Sequence, residues 1–232
     1  RSDLAKRMVE RKKLMDHSVQ IDGPFFSGKR KTGSSLDFHY RITNRNSGHS
    51  LPSGSLGAQP ELWLNVALID PDGKNVWESG YIDSHGDMAD LHSLDVRAGK
   101  LPRDAQLFNL QTKFLTTNVK GTDREMYLPV SFDVDPLPFI RPATVPTGVL
   151  NHPPFVRMEG RSIPPLGNRD AKYSVPASAL TKSGRYKLAI RMRSRAEPMY
   201  FMKFIGATPD MLRAMNEGIL DISAYTVEFE VK

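Results

Sequence analysis

Apolar and polar side chains alternate along several short stretches of the chain, and this period of two predicts β-strands with one buried face. Residues 36–42 have the sequence LDFHYRI, and residues 185–193 and 225–231 show the same alternation. The side chains that we expect to face the core in these three stretches are Leu36, Phe38, Tyr40, Ile42, Tyr186, Leu188, Ile190, Met192, Tyr225, Val227, Phe229 and Val231.

A more continuously apolar stretch, residues 61–70, predicts a strand that is followed by a tight turn. Pro71-Asp72-Gly73 has the residue types of a turn, and residues 75–79 then form the returning strand of a hairpin. Weaker patterns predict further strands at residues 105–116, 126–134, 172–175 and 199–205.

Two helices are predicted, one near each end of the chain. Ser2-Asp3 can cap a first helix that ends near residue 16, and its narrow apolar stripe contains Leu4, Met8, Val9 and Met15. Near the C-terminus, Thr208-Pro209-Asp210 supplies an N-cap, a proline at the first helical position and an acid in the first turn. Gly218 ends this second, short helix.

Together these elements predict a mostly β protein, a two-sheet antiparallel β-sandwich of the Ig-like or jelly-roll type. We divide the chain into residues 1–34, a basic N-terminal helix with a connecting loop, and residues 35–232, the sandwich domain. Residues 136–165 are rich in proline and lack periodicity. A loop of that length inside a compact domain is expected to be functional or to face a partner.

The net charge of +6 belongs to the N-terminal part of the chain. Residues 1–46 contain eleven Lys and Arg against five Asp and Glu, whereas the remainder has 21 of each sign. Aromatic residues do not interleave with these basic residues as they do in single-strand binders, so we expect no nucleic-acid partner. No apolar run approaches the roughly 18 residues of a transmembrane segment. The chain begins at Arg1, which we interpret as a processed product or a fragment.

Sequence motifs for catalysis and cofactor binding are missing from the chain. It has no GxGxxG, GxxxxGK[ST], HExxH or GxSxG pattern, and no two of its six histidines are three or four residues apart. It has no cysteine, so it cannot attach a haem through CxxCH, form a disulfide or offer a thiolate to a metal. We therefore expect a protein without a catalytic centre of its own.

Two clusters leave other chemistry open. Residues 83–95 contain two histidines among four aspartates, from which a cation site is conceivable, although a polar surface loop has the same composition. The methionines between residues 192 and 215, with Lys203, could ligate a haem without a covalent link, although adaptable core packing is the simpler interpretation.

The most distinctive segment is residues 44–54, NRNSGHSLPSG, followed by ELWLNV at residues 61–66 and DPDGKNVWESG at residues 70–80. It resembles the non-haem β-sandwich domain that usually lies C-terminal to the haem-binding part of extracytoplasmic multihaem c-type cytochromes. In that family a strand ending in Asn leads to a Gly-His-x-x-Pro-[Thr/Ser]-Gly turn, an aromatic strand, an Asp-x-x-Gly hairpin and a closing Glu-Ser-Gly. The match covers residues 36–80, with Ser53 where Thr is usual, and weaker echoes follow at residues 191–201.

This resemblance implies a non-catalytic structural or interaction module in the periplasm or at the cell surface. Its partner would be a multihaem c-type cytochrome region or subunit, within an assembly that could be oligomeric. Since this chain has no cysteine, haem c would belong to that adjacent region or partner. His49 is the candidate cofactor-contacting residue, as a distal haem ligand or a neighbour of a haem propionate. Alternatively, His49 only hydrogen-bonds its own loop.

Three other functions remain open from the sequence. The first is a sandwich that holds a b-type haem through Met or Lys ligands. The second is a carbohydrate- or protein-binding sandwich of an exported enzyme, which would need Trp63, Trp77 or Tyr81 at the surface, although the strand pattern favours a buried Trp63. The third is a metal-dependent hydrolase built on residues 85–95.

Overall fold

Two antiparallel sheets form the body of the protein, and a long N-terminal helix lies beside them. The structure, a computed structural model, describes residues 2–53, 60–90, 93–111, 113–115, 157–159 and 161–232. The strands are β1 Val19–Ser27, β2 Leu36–Asn44, β3 Glu61–Ile69, β4 Asn75–Ser79, β5 Lys113–Leu115, β6 Arg157–Glu159, β7 Asn168–Val175, β8 Gly184–Arg195 and β9 Leu220–Val231. The helices are α1 Ser2–Ser18, α2 Leu94–Arg97, α3 Met199–Phe204 and α4 Pro209–Glu217, with a 3₁₀ turn at Ala177–Ala179.

The strands are arranged as the two layers of a sandwich. The first sheet has the order β1-β2-β7 and the second the order β4-β3-β8-β9, with every neighbouring pair antiparallel. Strands β5 and β6 form a separate two-stranded ladder. This arrangement confirms the predicted fold class of a mostly β, two-sheet antiparallel sandwich with an N-terminal helix and a short helix near the C-terminus.

Aromatic rings join the inner faces of the two sheets. Phe38 of β2 and Tyr173 of β7 both lie edge-on to Trp77 of β4, at centroid distances of 6.3 and 5.8 Å. Tyr40 meets Tyr225 at 6.4 Å in the same way. Edge-to-face pairs of this kind add about 0.5–1.5 kcal/mol each to the burial of the rings. The alternating residues of β2 and β8 are buried, as their sequence pattern predicts.

Strand β3 is buried on both faces over its first half. Residues 61–66 are all buried, including Glu61 and Asn65, whose side chains lie on the outer face together with Trp63. Two contacts show the cover on this face: Trp63 Nε1 donates to Gly80 O, and Arg195, the β8 partner of Glu61, donates to Gly86 O. Residues 108–110 instead extend the sheet at the edge of β3, where Leu64 N donates to Phe108 O and Leu110 N to Leu62 O. Because its outer face is covered as well, β3 has a more continuously apolar sequence, whereas β2 and β8 alternate between apolar and polar residues.

Several predicted elements differ in the structure. Residues 199–205 are predicted as a strand, but Met199–Phe204 is helix α3, because Met199 and Met202 are both buried at a spacing of three residues. A short apolar run is ambiguous between the two conformations. Val9 is 54% exposed, so its assignment to the apolar stripe of α1 is wrong, whereas Met8 and Met15 pack against the core.

Strand β1 and helix α2 are not predicted by the sequence pattern. β1 continues through Gly23-Pro24, where its register with β2 shifts between Asp22 and Phe25. Pro24 has no N–H to donate, and a proline is tolerated because β1 is an edge strand. Since β1 pairs with β2, part of the segment 1–34 joins the first sheet; the division at residue 34 itself stays a prediction.

Two predicted segments lie wholly or mostly outside the described residues. The predicted strand at 126–134 falls among residues that the structure does not describe, as does most of the proline-rich loop at 136–165. Of that loop, Arg157–Glu159 forms β6 and residues 161–165 lead into β7. The predicted strand at 105–116 is reduced to the bridge at Asn109 and to β5.

Gly80 follows β4 at a point where the chain touches β3. Its N–H donates to Asp104 Oδ2 at 2.6 Å, and its carbonyl accepts from Trp63 Nε1 at 3.0 Å. Its φ is +78°, and a Cβ added there would lie 1.9 Å from Leu64 O. Both the backbone conformation and the space therefore require glycine at this position.

We expect Gly80→Ala to reduce the free energy of unfolding by about 3 kcal/mol or more, since the added methyl group collides with β3 backbone. Gly73→Ala is the matched control, because Gly73 has a φ of +83° but no atom within 4 Å of an added Cβ. It should lose only about 1 kcal/mol. Urea unfolding of both variants measures the difference; equal losses would contradict the steric argument.

Candidate functional site

The candidate site lies at the end of the sandwich where β2 and β8 finish and β3 begins. Asn44, the last residue of β2, is fully buried and organises the turn that carries His49. Its Nδ2 is 2.8 Å from His49 O and 3.0 Å from Ile163 O, and its Oδ1 accepts from Asn46 N at 3.0 Å. One buried amide therefore connects the turn to the segment that leads into β7.

The next residues of the turn are held by backbone hydrogen bonds. Leu51 and Ile163 form an antiparallel bridge in which each N–H donates to the other carbonyl at 2.8 Å. Leu51 and Pro52 are both buried. Gly48 is exposed, has open space around it and does not have a positive φ, so Asn44 rather than Gly48 shapes the turn. Gly54 lies outside the described residues.

His49 is exposed, and its imidazole makes no hydrogen bond to the described residues; only its backbone carbonyl is engaged, by Asn44. Beside it is a cleft of about 500 Å³ between α1 and the turn, lined by Arg11 and Met15 as well as by Ser194 and Ala196. Partial burial lowers the pKa of Arg11. The cleft thus combines a guanidinium, an imidazole and an apolar wall.

A buried ion pair lies behind this cleft. Arg195 and Glu61 are 0% and 1% exposed, and they face each other across the β3–β8 pair. Arg195 Nε donates to Glu61 Oε2 at 2.7 Å, while Nη1 donates to Gly86 O and to Asn216 Oδ1 at 2.6 and 2.7 Å. The guanidinium therefore joins the sheet end to the loop at residue 86 and to α4.

Three aspartates of residues 83–95 have partners in their own loop or in α3. Asp83 accepts from His85 N, Asp87 N and Ser93 Oγ, and Asp95 accepts from Ser84 at both its N–H and its hydroxyl. Asp87 Oδ2 lies 2.6 Å from Lys203 Nζ. His85 Nε2 lies 3.8 Å from Asp95 Oδ1, and His92 is outside the described residues.

These contacts bear on the two clusters of candidate ligands. Within the part of the chain that the structure describes, no three His, Asp or Glu side chains come together as they would around a metal ion. Lys203 donates to Asp87, and Met192, Met199 and Met202 are buried, the first of them in the sandwich core. These are packing and ion-pair roles.

The three aromatic residues of the carbohydrate-binding alternative do not form a surface platform. Trp63 is 0% exposed, which confirms the expectation that it is buried. Trp77 packs against Phe38 and Tyr173, and Tyr81 is half-buried with its hydroxyl donating to Pro102 O at 2.8 Å. The described helices all fall short of the length and apolar character that a membrane-spanning helix needs.

By fold and site, the protein is a cysteine-free β-sandwich with a histidine-bearing turn at one end. No family model matches the chain, and no curated protein sequence matches it significantly. A solved structure of similar fold is a penta-haem cytochrome c552 from Thermochromatium tepidum, at 13% identity and a TM-score of 0.51. The likeness covers 94% of this chain but 41% of the cytochrome chain, and at this identity it shows the fold alone.

The role of Asn44 can be tested through stability. Asn44→Ala removes buried hydrogen bonds to two segments and should lower the free energy of unfolding by about 2–4 kcal/mol. Amide hydrogen exchange of residues 45–53 should quicken as well. Asn75→Ala is the control, since its amide makes one exposed contact with Glu78, and it should change stability by less than about 0.5 kcal/mol. Unchanged exchange in Asn44→Ala would refute the organising role.

Asp87 predicts a pH dependence of stability. Burial raises its pKa to about 7, although Lys203 acts in the opposite direction. Folded Asp87 thus keeps its proton to higher pH than an unfolded aspartate of pKa about 3.9, so the free energy of unfolding should fall as pH rises between these values. Asp87→Asn should flatten this slope, whereas the exposed Asp210→Asn should preserve it. Urea unfolding across this pH range measures both; identical slopes would contradict the assignment.

Proposed function

We propose that this domain is the non-haem β-sandwich of an extracytoplasmic multihaem c-type cytochrome system, and that it positions or shields haem groups on an adjacent stretch of protein. The observation that carries the proposal is the His49 turn. Its backbone is fixed by the buried Asn44, while its imidazole is exposed and uncommitted among the described residues.

The similarity of fold supports the same proposal. The similar solved chain is a cytochrome with five haems, and this chain corresponds to 41% of it. Because the chain has no cysteine, covalent haem c would have to be held by another polypeptide stretch, joined to this one or bound to it. In this proposal the domain is extracytoplasmic and has no catalytic role of its own.

The cleft beside His49 has the chemistry that a haem edge would meet. Arg11 can donate paired N–H groups to a propionate, and Met15 and Pro52 offer apolar contact to the macrocycle. An imidazole can either bind haem iron directly or donate a hydrogen bond to a propionate. Both roles need the ring to point away from its own loop, as His49 allows.

We expect His49→Ala to alter the haem spectra or the haem midpoint potentials. Both are measured on protein that is isolated from its source together with its haem-bearing region. Loss of an iron ligand would convert one haem from low to high spin, whereas loss of a propionate contact would shift a potential without a spin change. Optical and paramagnetic resonance spectra with redox titration distinguish these two outcomes.

His39→Ala is the matched control, because His39 lies on the first sheet beside Phe25, at a ring distance of 5.1 Å, and away from the cleft. Spectra and potentials that match the wild type in His49→Ala would rule out the haem contact. Native protein without any covalent haem would overturn the proposed function itself, and a Soret band on the chain alone would instead support a b-type haem site.

A further inference from the structure

The guanidinium of Arg11 lies at the cleft beside His49 without a counter-ion from the part of the chain that the structure describes. Burial lowers the pKa of Arg11, whereas a neighbouring carboxylate would raise it. The next residue, Lys12, is in contrast paired with Asp16. A half-buried cation that lacks a partner favours the binding of an anion.

The direction in which Arg11 projects depends on how α1 lies against the sandwich, and the apolar contact of α1 there is narrow. Among the described side chains of α1, Met8 and Met15 pack against the core, and both are only half-buried. Val9 and Leu14 are 54% and 72% exposed. An apolar stripe of this width leaves the rotation of a helix about its own axis weakly determined. Polar contacts are therefore expected to fix it.

A β-bulge in β9 supplies the first of these contacts. The two residues between Ile222 and Tyr225 of β9 lie opposite a single residue of β8, Arg191. Ser223, inside this bulge, has a φ of +49°, which is uncommon for a residue other than glycine. Its N–H donates to Asp16 Oδ1 at 2.9 Å, so the bulge faces α1.

Lys12 makes the second contact, one helical turn before Asp16. Its Nζ donates to Asp221 O at 2.6 Å and lies 3.0 Å from Asp16 Oδ2. Asp221 is held in turn, because its carboxylate accepts from Arg191 and Arg193 of β8. Burial acts to raise the pKa of Asp16, but the N–H of the bulge and the Lys12 ammonium together bring this pKa below its usual value, so the carboxylate is charged at neutral pH.

The contacts with β9 and the cleft involve adjacent sides of the same helix. Successive residues of an α-helix are about 100° apart around its axis, so Arg11 and Lys12 project from neighbouring sides, as Met15 and Asp16 do. Two contacts four residues apart fix both the rotation and the axial position of α1. Without them, α1 could turn on its two methionines and carry the guanidinium of Arg11 away from the cleft.

We propose that Asp16 is a positioning residue of the His49 cleft: by holding α1 on the β9 bulge, it keeps Arg11 where its guanidinium binds a carboxylate borne on an apolar body. A carboxylate matches the forked donors of arginine, while Met15 and Pro52 receive the apolar body. The identity of that ligand as a haem propionate rests on the proposed function, whereas the preference for a carboxylate follows from Arg11 itself.

The test is a titration of the full chain with octanoate, a carboxylate on an apolar chain, and with 1-octanol, its neutral counterpart. NMR of the His49 imidazole reports binding, and octanoate should bind about tenfold more tightly than octanol. Arg11→Gln should reduce this preference to within about twofold, and Asp16→Ala should reduce it to within about threefold. Asp16→Asn keeps an oxygen that accepts from Ser223 and should retain most of the preference.

Glu10→Ala is the matched control, because Glu10 is an exposed acid of the same helix that pairs with the exposed Lys13. Its preference should stay within about twofold of the wild type. Backbone amide spectra of β2 and β8 show that the sandwich is retained in each variant. Three results would overturn the proposal: no saturable octanoate binding, equal binding of octanoate and octanol by the wild type, or an unchanged preference in Asp16→Ala.

Octanoate binding needs no cytochrome, so this test and that of the proposed function fail separately. Native protein without covalent haem would remove the haem propionate as the ligand and leave the octanoate preference intact. Loss of the preference for octanoate in the wild type would instead refute the positioning role of Asp16, whatever haem the native protein carries.

Discussion

The buried ion pair between Glu61 and Arg195 is the contact on which the arrangement of this end of the molecule depends. Removing two charges from water is costly, and such a pair is stabilising only when its remaining hydrogen-bonding groups are satisfied. Arg195 meets this condition by donating also to Gly86 O and Asn216 Oδ1. The pair therefore specifies how the 81–90 loop and α4 cover the sheet, because any other docking would leave the guanidinium unsatisfied.

The two sides of this end of the sandwich differ in how far other segments cover them. On the outer face of β3, Trp63 lies 5.7 Å from both Arg193 and Arg195 and donates its indole N–H to Gly80 O, so the covering segment and the sheet share one network. On the other side, the turn after β2 is left uncovered by the described residues and exposes His49. A covered end of the sandwich thus carries one exposed turn, and the proposed contact with a cytochrome region would be made there.

The strands with one buried face could be predicted from the sequence, because the alternation of apolar and polar residues is the same whichever strand pairs with them. β2, β8 and β9 are of this kind. The Glu61–Arg195 pair could not, since the two residues are 134 positions apart and become neighbours only through the β3–β8 register. Parity along β8 places Arg195 with the outward Arg191 and Arg193, and only the cover over β3 buries it. The helical Met199–Phe204 was missed because a short apolar run has no decisive period.

Part of the candidate site could likewise be predicted from the sequence, and part could not. The turn itself can be recognised from residues 44–54, but the sequence leaves undecided whether His49 holds its loop or serves a partner. In the structure, Asn44 holds the loop by bonding the backbone carbonyl of His49 rather than its ring. An imidazole used for that purpose would lose a ring nitrogen to its own chain. With the fixing done by a buried amide, the imidazole of His49 makes no hydrogen bond to the described residues, so either ring nitrogen can serve an external group.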